Sequence, residues 1–168
     1  MTMPSRTPFR LGLPAVGVIA GVAALSGCAP GDRGEPRTEV VHASWAFDIR
    51  DPEVVAGRMD DIFIGKVVSA GDVESDDPMP KATFTVEVAS SIKGDEKGTI
   101  DVVQEGGFDE SENAVYTFEG DRLLEVGKTY FFASRGAKHQ LLPITGDRLL
   151  DEEGEASKVT ATYEAAVG

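Results

Sequence analysis

The sequence predicts a mainly β domain, a small antiparallel barrel or sandwich with one short helix at its N-terminal side. Three observations carry this expectation. Five or six short segments rich in β-branched and aromatic residues recur between residues 62 and 144. Turns containing glycine separate them. One of them, residues 82–88, alternates apolar and polar side chains without a break.

The helix comes first. Asp51-Pro52-Glu53 combines an N-cap acid, a proline at the first helical position and an acid in the first turn. The helix is expected to run to about Met59, with Val54, Val55 and Met59 as its apolar face. Residues 62–68 (IFIGKVV) form the first strand, and their unbroken apolar start implies cover on both faces. An acidic, turn-rich loop is expected at 71–80. In the strand 82–88, Ala82, Phe84, Val86 and Val88 share one face, and Thr83, Thr85 and Glu87 the other. Residues 93–98 (KGDEKG) turn the chain. The strand 99–105 then places Ile100, Val102 and Gln104 inward, and Gly106-Gly107 ends it.

Residues 108–124 are mixed, with a short strand around Val115, Tyr116 and Phe118. After a turn at Glu125-Val126-Gly127, residues 128–134 (KTYFFAS) form the fourth main strand and 138–144 the fifth. Pro143 suits a strand end. Residues 151–168 read as either a weak helix or a loose tail.

The ends of the chain set its organisation. Residues 1–27 have the parts of an export signal: Arg6 and Arg10, an uncharged apolar run at 11–25, then Ser26 and Gly27. The run is shorter than the roughly 20 residues a transmembrane helix needs. Residues 28–43, rich in Gly, Pro and charge, form a flexible tether with a root-mean-square span of roughly 20 Å. Residues 44–153 form the folded domain, roughly 110 residues, enough for one core. Residues 154–168 are a C-terminal tail or weak helix.

Leu25-Ser26-Gly27-Cys28 resembles the lipobox of bacterial lipoproteins. The resemblance implies cleavage before Cys28, a diacylglyceryl group on its thiol, and a domain held on the outer face of a cell membrane. Two acyl chains make such an anchor effectively permanent. Cys28 is the single cysteine of the chain, so no internal disulfide or multi-cysteine metal site can form.

Within the body, DIFIGKV at 61–67, TFTVEV at 83–88, IKG at 92–94, IDVVQEGG at 100–107 and LEVGKTYFF at 124–132 occur in an order that resembles bacterial secreted domains. Those domains are related to the tissue inhibitors of metalloproteinases and the netrin-like modules. The resemblance covers about residues 52–146 and implies a five-stranded antiparallel OB-type barrel. The animal inhibitors chelate protease zinc through a disulfide-clamped N-terminal cysteine. Here Cys28 is the anchor, so the resemblance is carried over for the fold alone.

The formal charge is −13. Removing residues 1–27, with two arginines and no acid, takes it to −15. Such a surface repels nucleic acid and anionic headgroups. No catalytic residue, cofactor or metal-ligand set is read from the sequence. Gly127-Lys128-Thr129 lacks the earlier glycine of a phosphate loop, since Arg122 stands there, and it enters a strand. No serine sits in a G-x-S-x-G elbow. His42 lies in the tether, and His139 is read as a surface strand residue. Asp72, Glu74, Asp76 and Asp77 crowd one loop, and Asp109, Glu110 and Glu112 another, without EF-hand spacing. Trp45 and Phe47 are expected to pin the segment after the tether onto the barrel. The expectation is a non-enzymatic, lipid-anchored module that binds a protein, peptide or glycan at the cell surface. The alternatives are an envelope enzyme whose site forms only in three dimensions and a calcium-stabilised structural module.

Overall fold

The computed structural model describes residues 34–75, 79–152 and 154–168. The export signal, Cys28, the start of the tether, Asp76 and Asp77 lie outside the described residues. The elements run in the order β1 (Arg37–Val41), α1 (Pro52–Arg58), β2 (Asp61–Glu74), β3 (Lys81–Lys93), β4 (Gly98–Glu105), β5 (Gly107–Asp109), β6 (Ala114–Phe118), β7 (Thr129–Arg135), β8 (Gln140–Leu141) and α2 (Glu155–Val167).

Five strands close a barrel in the order β2-β3-β4-β8-β7, with β7 returning to β2. Four of the five pairings are antiparallel, and β4 pairs β8 in parallel through Val103 and Gln140. The barrel is therefore mixed, where the sequence had suggested a purely antiparallel one. The reason lies in the last strand. Residues 138–144 yield only the two-residue β8, because residues 136–139 form the turn that leads into it and Pro143 follows closely. So short a strand closes the barrel between its neighbours in whichever direction the turn delivers it.

β2 and β3 are the long elements, at 14 and 13 residues. β2 continues through Gly71 and Asp72, which the sequence had placed in a loop. Its register against β3 shifts at four points, and such irregularities bend a long strand around a barrel. Gly65 belongs to this bend: a Cβ there would meet Val86 Cγ1 at 2.5 Å and Glu87 O at 3.0 Å.

Consecutive aromatic residues divide between two cores. Phe63 and Phe132 stack inside the barrel at 5.0 Å, beside Val67, Val86, Val102 and Tyr130. Ile62 and Phe131 point outward beneath α1 and α2, where they meet Ile49, Val55, Met59 and Tyr163. Helices cover the outer face of β2 and β7, which is why IFI and FFA carry no alternation. Each fully buried Phe contributes roughly 1.5–3 kcal/mol from its apolar area.

α1 begins as the sequence implies: the Asp51 carboxylate accepts from the N–H groups of Glu53 and Val54 at 2.9 and 3.2 Å. At its other end Lys93 Nζ donates to the carbonyls of Ala56 and Met59, at 2.7 and 2.6 Å. This cation on the terminal carbonyls satisfies acceptors that the helix leaves open.

Two boundaries differ from expectation. Arg37–Val41, read as tether, is strand β1, paired in parallel with β6 in a second sheet of order β1-β6-β5. Residues 155–167 form a helix that joins the core through Tyr163, whose ring lies 4.4 Å from that of Phe131. The folded body thus extends beyond residues 44–153 in both directions.

Candidate functional site

Alternation in β3 and β4 builds one outer face. Ala82, Phe84 and Val86 fill the barrel, so Lys81, Thr83 and Thr85 face out. Val102 and Gln104 are buried, so Asp101 and Val103 face out. The register sets Thr83 opposite Val103 and Thr85 opposite Asp101, with Thr85 Oγ1 donating to Asp101 Oδ1 at 2.9 Å. The turn carrying Ala137, Lys138 and His139 rises beside this face. Together they enclose a groove of 540 Å³ that also takes in Glu74, Ile100 and Gln140. Its walls carry both charge signs, hydroxyls and short apolar side chains.

The turn is fixed on both sides. The Gly136 N–H donates to Asp60 Oδ2 at 2.8 Å, and the His139 N–H to the Gly136 carbonyl at 3.0 Å. The His139 carbonyl accepts from the Val103 N–H at 3.2 Å. His139 adopts φ +45°, a left-handed conformation uncommon outside glycine. These bonds hold its ring at one end of the groove, beside two carboxylates. Nδ1 lies 3.5 Å from Asp61 Oδ2, and Nε2 lies 3.9 Å from Glu96 Oε1. Nδ1 is buried and has no hydrogen-bond partner among the described residues. Asp61 begins β2, Glu96 sits in the β3–β4 turn and His139 in the β7–β8 turn, so tertiary structure alone brings them together. The sequence reading treated His139 as a surface residue and did not single out Asp61 or Glu96. No local spacing signals this trio.

The other residues singled out from sequence lie apart. His42 is exposed and pairs with Glu119 Oε2 at 2.8 Å. The Trp45 ring meets Phe118 edge-on at 5.0 Å, and the Arg58 guanidinium lies over Phe47 at 4.8 Å. Both aromatics pack against the core under α1. Lys128 is exposed just before β7. Asp72 and Glu74 are exposed on β2. Asp109 Oδ1 accepts from Ser111 Oγ and from the N–H groups of Ser111 and Glu112, and the Ser111 hydroxyl foremost draws its pKa below the ordinary carboxyl value. Glu112 accepts from Tyr116 OH and Arg37. Asp109 and Glu112 are therefore engaged by local donors rather than converging on one point.

No helix among the described residues is long and apolar enough to cross a membrane. No protein-family model matches this chain, and no curated protein matches it.

Proposed function

We propose that the protein is a lipid-anchored extracytoplasmic lipoprotein whose barrel is a non-enzymatic binding module for an extended peptide segment of a surface partner. The groove over β3 and β4 carries this reading. The strand order, closed by one parallel pair between the third and fifth barrel strands, supports an OB-type barrel and with it the likeness to the metalloproteinase-inhibitor and netrin-like domains. OB-type barrels bind across this sheet face and its flanking loops. A peptide fits better than a glycan, because no Trp, Tyr or Phe lines the groove and sugar sites use such rings as platforms. Anchoring rests on the LSGC motif ending at Cys28.

Two measurements test this reading. Intact mass of the chain recovered from bacterial membranes should show a start at Cys28 with added diacylglyceryl, lost in Cys28→Ala; an unmodified chain in the medium refutes the anchor. Photo-crosslinking in cells from position 103, in the groove, should capture a defined polypeptide that position 68, exposed on β2, does not. Identical products from both positions would rule the groove out.

A further inference from the structure

We infer that Asp61, Glu96 and His139 form a binding site for one divalent transition-metal ion of the zinc class at the end of the barrel. One ligand atom from each residue lies within 4.8 Å of the others. A first-row metal with bonds of about 2.0–2.2 Å holds its ligand atoms roughly 3–4 Å apart, so closure by about 1 Å completes the set. Glu96 is carried by the β3–β4 turn, outside the paired strands, so its approach need not break a ladder.

The donor chemistry selects the metal. Two carboxylates would also suit calcium or magnesium, but an imidazole nitrogen favours zinc and its neighbours in the first row. The condition of His139 points the same way. Its Nδ1 is a buried nitrogen without a hydrogen-bond partner among the described residues, and a carboxylate lies within 4 Å of each ring nitrogen. Buried polar atoms are normally satisfied, and a cation shared with these carboxylates satisfies this one. Lys93, the nearby cation of β3, is committed to the carbonyls of α1. Gly94 leaves the space: a Cβ there would overlap Asp61 Oδ1.

Three protein ligands leave a coordination position for water or a partner's side chain, as in open zinc sites. The ion would tie the start of β2, the β3–β4 turn and the β7–β8 turn into one rigid end. Because His139 also lines the groove, metal occupancy would set the shape of that end of it.

The test is calorimetric titration of the full chain in detergent with zinc, calcium and magnesium chlorides. One zinc per chain is expected, with no comparable binding of calcium or magnesium. Asp61→Asn and His139→Ala should each weaken zinc binding at least about tenfold, since loss of a mere outer-shell partner already costs 10–100-fold. His42→Ala should leave it unchanged. As a readout without substitution, the His139 ring ¹⁵N resonances should move on zinc addition and the His42 resonances should not. Absence of zinc binding, unchanged affinity in His139→Ala, equal calcium binding, or unmoved His139 resonances would each overturn the proposal.

Discussion

Asp121 organises more of the backbone than any other side chain described. One carboxylate oxygen accepts from the N–H groups of Arg122 and Gly146, and the other from the N–H of Ile144 and from Gln104 Nε2. The bond to Ile144 matters because this β-branched residue adopts φ +65°, a conformation costing about 1–3 kcal/mol that only a well-determined surrounding sustains. Asp121→Ala leaves the N–H groups of Ile144 and Gly146 without acceptors. A loss of about 2–4 kcal/mol is expected in a urea melt. The same carboxylate gives a pH signature. Burial, the largest influence, raises the Asp121 pKa above the ordinary carboxyl value, against the hydrogen bonds that lower it. The folded state therefore holds this proton more tightly than the unfolded chain does. The resulting stability is full below the unfolded pKa of about 4 and is lost as pH rises through the raised value. Measured against Asp121→Asn over that window, the wild type should lose relative stability as pH rises; a relative gain would refute the assignment. Gly146 is the matching steric test. A Cβ there would overlap the Arg122 carbonyl oxygen, and backbone cannot yield as a side-chain tip can. Gly146→Ala should cost about 1–3 kcal/mol or more.

At the scale of elements, the strands were legible and their partners were not. Alternation in residues 82–88 and 99–105 fixed which side chains fill the barrel, and Val86, Val102 and Gln104 are all buried. Gln104 shows why polarity did not mislead there. Its Oε1 accepts from the Leu124 N–H while its Nε2 donates to the Arg122 carbonyl, so a buried amide pins the loop ahead of β7. The direction of β8 could not be read, because a two-residue strand has no pattern of its own. α2 was undecided for a related reason. Its residues are largely alanine, threonine and charge, and its place depends on one aromatic, Tyr163, finding Phe131. Packing in the folded body, rather than local sequence, makes this segment a helix. Tyr163→Ala removes that contact and should lower stability by about 2–4 kcal/mol, visible as a lower denaturant midpoint with unchanged slope. If the helix merely rested on the body, the midpoint would stay where it is.

For the whole molecule, charge and the proposed anchor make opposite demands. The formal charge is −13 for the full chain, and residues 1–27 contribute two arginines and no acid, so a body held by the proposed anchor against an anionic leaflet would be more acidic than the total. Like charge repels such a body from the headgroups over about one Debye length, roughly 8 Å at physiological salt. β1 and its pairing with β6 bring folded structure to Arg37, where the sequence had suggested a tether as far as residue 43. If membrane residence rests on the lipid at Cys28, the protein surface adds no attraction of its own. The Cys28→Ala chain, made without its signal, should then stay in solution with anionic vesicles at both low and physiological salt. Surface attraction would instead show as sedimentation with those vesicles at low salt that salt reverses. The lipidated chain should sediment with anionic and neutral vesicles alike, because two acyl chains outweigh the residual repulsion. Sedimentation that depended on lipid charge would place the membrane contact on the barrel and not on Cys28.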